Sequence, residues 1–384
     1  MENGGAEMAA FLEPKTIAFP PPGPLSTIMP ALTRTRSFQI ALALTLALVA
    51  ALAFERLHVP IPWMIGPLVT LGAVNLLGGR LEPLPYGRQG GQLFIGTGVG
   101  LYFTPSVLEA LVAQSWVIVL GGVLVMAVAA VGGRLLARVS GIDQTTCFFA
   151  TVPGGAAEMS VLAARYGGIV PAVAIAQSIR VAMLVLILPA IVTFSGVAAG
   201  AREPPLVIPF ATGPFFLMMA ITAAGAILFQ KLRLQNPWTM GPLMVSAALA
   251  VCEIQFSGIP RELSNVAQLM LGSALGSRFE REFFLRYRLF IPIALLNGTY
   301  VIVASAAVAL IVTWLSGIPL ATTLTGCGPG GIAEMTITAK ALGLAVATVT
   351  AFQLVRIVLA NFGAVFVLRL SVGNVKPTGT KPKF

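Results

Sequence analysis

The sequence predicts an all-α polytopic membrane protein made of two tandem homologous repeats. Three observations lead to this prediction: the scarcity of charged residues, the long apolar segments and an internal duplication. Of the 384 residues, 57% are hydrophobic and 10% are charged. A soluble domain carries about 25% charged residues. A chain of this composition therefore has too few charges to cover a surface in contact with water.

Uncharged apolar segments recur along the chain at lengths that suit membrane-spanning helices, which need about 20 residues. No segment shows the period-two alternation of a barrel strand, so helices are predicted throughout. The run 289–333 is too long for one helix and must hold a crossing and a further element. The other runs are 37–54, 57–79, 89–108, 110–133, 181–201, 204–230, 234–252, 263–277, 341–355 and 357–368.

The duplication is carried by two blocks that occur in both halves in the same order. Residues 62–68 and 237–243 share the pattern Pro-Trp-x-x-Gly-Pro-Leu, and residues 153–159 and 329–335 share Pro-Gly-Gly-x-Ala-Glu-Met. Residues 141–180 and 317–356, which lie 176 positions apart, are identical at 15 of 40 positions. We therefore divide the chain into repeat 1 at 37–201 and repeat 2 at 206–373.

The segments outside the repeats have a different composition. Residues 1–36 hold a proline-rich run and charges of both signs, so a disordered cytoplasmic tail is predicted. Residues 374–384 carry three lysines, which is typical of a basic cytoplasmic tail.

Loop charges predict the topology. With about five crossings per half, a Pro-Gly-Gly element that re-enters the membrane and a cytoplasmic N-terminus, nearly all loop cations fall on the cytoplasmic side. The net charge of +10 then reflects these loops rather than nucleic-acid binding. An odd number of crossings inverts repeat 2 relative to repeat 1, as in many secondary transporters. If the element crossed fully, the repeats would be parallel. The predicted location is the inner or plasma membrane, with both termini cytoplasmic.

The Pro-Gly-Gly elements are the first candidate sites. Proline and paired glycines break a helix, and the helix that follows begins with free N–H groups that favour an anion. The candidate residues are Pro153, Gly154, Gly155 and Glu158 in repeat 1, and Pro329, Gly330, Gly331 and Glu334 in repeat 2. The alternative is structural: the glycines allow close packing, and each glutamate caps a helix.

Arg180 and Arg356 each follow the glutamate of their half by 22 positions, and each is preceded by a glutamine, Gln177 or Gln353. Arginine at membrane depth is costly unless it is paired or hydrated. A buried Glu–Arg pair within each half would explain both residues. The functional interpretation is a substrate-binding or ion-binding site, since a guanidinium group binds carboxylates with two parallel hydrogen bonds.

Other site classes are disfavoured by composition. The chain has one histidine and three cysteines, so a copper, iron or zinc site is not predicted. No catalytic residue and no cofactor is predicted, and nucleic acid is not an expected partner. The expected partners are the lipid bilayer and a small molecule or ion of unknown identity, and homo-oligomerisation is left open.

The two duplicated blocks resemble those of the AbrB-type integral membrane proteins, a family defined by two copies of one membrane domain. The resemblance covers about residues 38–370. Members carry conflicting labels, either ammonia monooxygenase or regulator of gene expression. The small DNA-binding regulator of the same name is a different protein, and nothing in this chain resembles its DNA-binding domain.

We therefore expect a secondary transporter or permease of a small, anionic solute that uses the Glu/Arg positions. The alternative is a membrane-embedded regulator of gene expression that acts through a partner. The monooxygenase label is disfavoured because one histidine cannot build a copper site, and the chain is not expected to be an enzyme.

Overall fold

The computed structural model describes residues 35–197, 203, 206, 208–254 and 256–372. These residues form helices and connecting loops, and no strand occurs among them, so the all-α prediction is confirmed. The predicted tail 374–384 and nearly all of the predicted tail 1–36 lie outside the described residues.

Repeat 1 begins with a long helix, continues through short and bent helices, and ends with two long helices that flank a broken one. Its helices are α1 Arg36–Arg56, α2 Pro62–Leu76, α3 Gly87–Gly100, α4 Pro105–Ala113, α5 Ser115–Ser140, α6 Gln144–Thr151, α7 Ala156–Arg165 and α8 Val170–Phe194.

Repeat 2 has helices of the same order. They are α9 Thr212–Lys231, α10 Pro237–Val251, α11 Arg261–Gly276, α12 Arg281–Arg286, α13 Ile291–Ser316, α14 Leu320–Cys327, α15 Ile332–Leu342, α16 Val346–Val358 and α17 Ala364–Val372. The counterpart of α8 is divided into α16 and α17. A 3₁₀ turn, Arg288–Phe290, precedes α13, and a π-helical turn, Leu359–Gly363, joins α16 to α17. The run 289–333 thus holds a long helix, the short helix α14 and the second Pro-Gly-Gly element.

Equivalent residues begin and end equivalent helices in the two repeats. Pro62 and Pro237 each occupy the first position of a helix, where the missing N–H group costs no hydrogen bond. Gly141 and Gly317 end α5 and α13 in the left-handed conformation, with φ of 67° and 70°. The duplicated sequence therefore encodes duplicated helix boundaries.

Six helices are long and apolar enough to cross a membrane, and the bent pair α3–α4, with an angle of 85°, would make a seventh. The helices α2 and α10 are apolar but shorter, at 15 residues each. Trp314 and Phe362 are each 83% exposed, as expected of side chains that face lipid. The total of about ten crossings and the inverted arrangement of the repeats stay predictions.

The two halves pack together through two equivalent pairs of helices. Helix α2 of repeat 1 packs on α11 of repeat 2, and α10 of repeat 2 packs on α3 of repeat 1. A Cβ atom added at Gly96 would lie 2.5 Å from the Thr239 carbonyl oxygen, and one added at Gly272 would overlap the Met64 carbonyl oxygen. These glycines therefore allow backbone-to-backbone contact at both helix pairs, as is common in membrane helix packing.

Candidate functional site: paired helix crossovers

Each repeat contains one broken helix at its Pro-Gly-Gly element. Helix α6 ends at Thr151 and α7 begins at Ala156, so residues 152–155 form what we call crossover 1. Helix α14 ends at Cys327 and α15 begins at Ile332, so residues 328–331 form crossover 2. The predicted break in the helix is thus found in both halves.

Glu158 and Glu334 lie on the first turn of α7 and α15, and both are half-buried. Each carboxylate folds back over the glycine that precedes its helix, so a Cβ atom at Gly155 or Gly331 would overlap it. A carboxylate in this position interacts favourably with the positive end of the helix dipole. A larger residue in place of either glycine would therefore displace the carboxylate from the helix start.

The Arg180 guanidinium on α8 is buried and binds backbone carbonyl groups of both crossovers. Its Nε donates to the Pro329 carbonyl at 3.1 Å, and its Nη1 donates to the Thr151 and Val152 carbonyls at 3.2 Å each. Its Nη2 donates to Gln177 Oε1 at 2.5 Å. The Arg180 cation therefore joins repeat 1 to repeat 2 at the break of both helices.

Gln177 holds crossover 1 from the same helix face as Arg180. Its Nε2 donates to the Phe149 carbonyl at 2.8 Å and to the Val152 carbonyl at 2.9 Å. These carbonyls sit at the end of α6, where no helical N–H group is available. The amide thus replaces the hydrogen bonds that the break in the helix removes.

Arg356 and Gln353 occupy the equivalent positions in repeat 2, but their hydrogen bonds differ from those of Arg180 and Gln177. Arg356 donates to the Gly328 carbonyl through Nη1 and to the Gly330 carbonyl through Nη2, and Gln353 Nε2 donates to Thr325, Gly326 and Gly328 carbonyls. The Nε of Arg356, however, is buried without a hydrogen-bond partner. The two arginines therefore do not bind equivalently, since only Arg180 reaches the opposite repeat.

The expected Glu–Arg ion pairs are not formed. Arg36–Glu82, Arg80–Glu282 and Arg261–Glu55 are ion pairs between exposed side chains, whereas Arg180 and Arg356 donate to backbone carbonyls. The expectation was wrong because backbone carbonyls freed by the helix breaks are available to the guanidinium groups. Backbone carbonyls accept hydrogen bonds from both guanidinium groups, although Nε of Arg356 has no partner, and the carboxylates remain accessible at the helix starts.

The site carries excess positive charge at its centre. Arg180 and Arg356 lie close enough to repel each other, and Glu334 attracts Arg356 from beyond contact distance. The residues predicted as a site therefore converge on one place: Pro153, Gly154, Gly155, Pro329, Gly330 and Gly331 form the crossovers, Gln177, Arg180, Gln353 and Arg356 bind them, and Glu158 and Glu334 begin the following helices.

Sequence reasoning missed Asn297, which lies on α13 and is buried. Its Nδ2 donates to the Ala150 carbonyl at 3.3 Å, and its Oδ1 accepts from Thr151 Oγ1 at 2.9 Å. It is a second link between repeat 2 and the end of α6. The sequence did contain a signal for Asn297, since it is an amide side chain in a long apolar run. Such a group costs free energy in a membrane unless it is hydrogen-bonded.

Arg278 was also missed, since it was assigned to a cytoplasmic loop. It is half-buried in the loop that follows α11, and it interacts electrostatically with both Glu158 and Glu334. Burial and the neighbouring Arg88 lower the pKa of the Arg278 guanidinium, while the two carboxylates act in the opposite direction. Arg278 is therefore a cation within electrostatic range of both carboxylates.

No group of three or more His, Cys, Asp or Glu side chains is placed to hold a metal ion among the described residues. All three cysteines are free thiols.

Long apolar helices, broken helices and buried guanidinium groups define an all-α polytopic membrane protein. The chain belongs to the AbrB family, whose model, described as transition state regulatory protein AbrB, matches residues 63–371. The chain is 28% identical over 330 residues to "Uncharacterized protein YhjN" of Bacillus subtilis (strain 168), covering 78% of this chain and 85% of the relative. It is 25% identical over 316 residues to "Putative regulator AbrB" of Escherichia coli (strain K12), covering 81% and 90%.

Proposed function

We propose that this protein is a secondary transporter or permease of a small, anionic solute, and that the paired crossovers form its binding and coupling site. The observation that carries the proposal is the Arg180 guanidinium, which is buried between two broken helices and binds carbonyls of both repeats. Discontinuous helices from two repeats that meet at an ionisable residue are the recurrent design of secondary transporters.

The site chemistry supports an anion. Two guanidinium groups lie at the crossovers, and the N-termini of α7 and α15 add positive dipole ends. The neighbouring carboxylates of Glu158 and Glu334 are half-buried, so they are accessible to a proton or another coupling ion. The proposal includes inverted repeats of about five crossings each, a cell-membrane location and cytoplasmic termini, all supported by the loop charges.

The test is transport by purified protein in proteoliposomes, with a panel of radiolabelled acetate, benzoate and succinate. Glu158→Gln and Glu334→Gln should each reduce uptake by about tenfold or more. Glu109→Gln is the matched control, because this glutamate is exposed on α4 and far along the chain from either crossover. Wild-type uptake in both variants would contradict the assignment of the crossovers as the transport site.

A second candidate function is a membrane-embedded regulator of gene expression, because one relative is named a regulator. Such a role would require a partner protein that binds the membrane domain in one conformation and not in another. The Glu158→Gln and Glu334→Gln variants separate the two functions. In cells that lack the protein, gene expression should change if the protein is a regulator. If both variants restore normal expression, regulation does not depend on transport.

We also propose that the chain is not an oxidase, because its single histidine, His58, cannot supply the imidazole cluster that copper requires. Copper analysis of the purified protein tests this directly. A stoichiometric copper content would contradict the proposal.

A further inference from the structure

A cavity of about 510 Å³ lies between the two repeats. Its walls come from the ends of α1 and α3 and the start of α2 in repeat 1, and from α11, α15 and the loop before α11 in repeat 2. A volume in this range suits a small molecule. Of the described residues, those that line the cavity belong to neither crossover, so it is a separate feature of the fold.

The polar side of the cavity is rich in hydrogen-bond donors and carries one cation that no carboxylate contacts. Lys340 Nζ lies 3.5 Å from Ser264 Oγ, whereas the charge of Arg261 is offset by Glu55 at 3.7 Å. Asn265 and Gln268 extend the polar side along α11. The ammonium group of Lys340 is therefore held by a neutral hydroxyl group and remains available to an anion.

Apolar side chains also line the cavity. Ile95, Leu101 and Ile337 line it. Trp63 also contributes to the wall, and its indole Nε1 is buried without a hydrogen-bond partner. The cavity thus combines apolar walls with polar side chains and the Lys340 ammonium group.

We propose that this cavity binds an organic anion, with its carboxylate or sulfonate at Lys340 and its apolar part against the isoleucine and leucine side chains. The inference rests on the proposed function in one respect: it makes the cavity the place where a solute binds before it reaches the crossovers. Binding itself does not depend on transport.

One helix connects the cavity to crossover 2. Glu334, Ile337 and Lys340 lie on one face of α15, since residues three apart are neighbours on a helix. Six residues correspond to about 9 Å along the helix axis. An anion at Lys340 therefore lies about 1.7 turns along the helix from Glu334, in the first turn after crossover 2.

Isothermal titration calorimetry on the full-length protein in detergent tests the proposal, with benzoate and hexanoate as probes. Both should bind saturably, and benzamide, which has the shape of benzoate without its charge, should bind at least tenfold more weakly. Lys340→Gln should weaken benzoate binding about tenfold, and Lys340→Arg should keep it within about threefold, because a charge-assisted hydrogen bond is retained. Lys231→Gln, at the exposed end of α9, is the control and should bind normally.

A second variant keeps the test valid if Lys340→Gln fails to fold. Ala341→Phe places a ring in the cavity while leaving Lys340 intact, so it should abolish binding. Absence of saturable benzoate and hexanoate binding to the wild-type protein would overturn the proposal, as would equal affinity for benzamide. Benzoate binding with normal transport in Glu158→Gln and Glu334→Gln would leave the cavity assignment standing and remove the crossover assignment.

Discussion

The Nε of Arg180 donates a hydrogen bond of 3.1 Å to the carbonyl of Pro329, and this bond crosses from repeat 1 to repeat 2. The equivalent Nε of Arg356 is buried and unpartnered. Two sites that share the same residues thus differ in their hydrogen bonds, since Gln177 Oε1 accepts from Arg180 whereas Gln353 Oε1 has no partner. The duplicated halves therefore adopt unequal arrangements around their common centre.

The unequal bonding predicts unequal effects of the same substitution in the two repeats. Arg180→Lys removes the donor to Pro329 and the fork that spans several carbonyls, whereas Arg356→Lys removes bonds only within repeat 2. We expect Arg180→Lys to lower the free energy of unfolding by about 2 kcal/mol more than Arg356→Lys, since hydrogen bonds to charged groups contribute about 1.5–3 kcal/mol each. Unfolding in mixed micelles measures both.

Arg138→Lys serves as the control for this comparison, because Arg138 is exposed near the end of α5. It should unfold like the wild-type protein. Equal destabilisation by Arg180→Lys and Arg356→Lys would show that the link between the repeats contributes nothing to stability.

Close helix packing predicts a second, steric effect. Gly272→Ala puts a methyl group onto the Met64 backbone carbonyl, which cannot move aside as a side chain can. We expect a loss of about 1–3 kcal/mol, the range found for overpacked cores. Gly213→Ala, in the first turn of α9, meets no atom within 4 Å and should not destabilise. Thermal unfolding of the two variants is compared by the fluorescence of tryptophan or of a thiol-reactive dye.

The same comparison applies to Gly96→Ala, whose methyl group would approach the Thr239 carbonyl oxygen. If Gly272→Ala and Gly96→Ala both unfold at the wild-type temperature, α2–α11 and α3–α10 are not in contact through these glycines.

The sequence predicts those features of the site that occur in both repeats. The crossovers, the Gln–Arg positions and the glutamates occur twice at a fixed spacing, so the duplication marks them. Arg278 and Lys340 were not predictable in this way, because the residues 176 positions earlier are Tyr102 and Ala164. A repeat comparison finds shared structure, whereas features present in only one half depend on how the halves pack together.

The pairing of the arginines was mispredicted for a physical reason. The sequence spacing places a glutamate and an arginine in each half. It could not show that backbone carbonyls without helical N–H partners lie beside each arginine. Those carbonyls bind the guanidinium groups instead. The cost of a buried arginine was recognised correctly, but the group that offsets it is backbone, which a residue pattern does not reveal.

The contact between Asn297 and Thr151 predicts energetic coupling between the repeats. Their side chains are joined at 2.9 Å, and both are buried. A double-mutant cycle of Asn297→Leu and Thr151→Val should give a coupling energy of about 0.6 kcal/mol, the average for such bonds in membranes. A cycle that pairs Asn297→Leu with Thr222→Val on α9 should give none, because Thr222 bonds to Thr97 instead. Additive effects in the first cycle would show that the bond is not maintained in the membrane.

Arg278 predicts a charge requirement at the start of both crossover helices. Its guanidinium interacts electrostatically with Glu158 and Glu334, which begin the two crossover helices. Arg278→Gln should reduce anion uptake about tenfold, whereas Arg278→Lys should retain most of it because the charge is kept. Arg288→Gln removes an exposed charge just before α13 and should leave uptake unchanged. Equal losses of uptake in Arg278→Gln and Arg278→Lys would mean that the shape of the guanidinium group matters rather than its charge. Equal uptake by Arg278→Gln and Arg288→Gln would mean that Arg278 is an ordinary loop cation with no role in uptake.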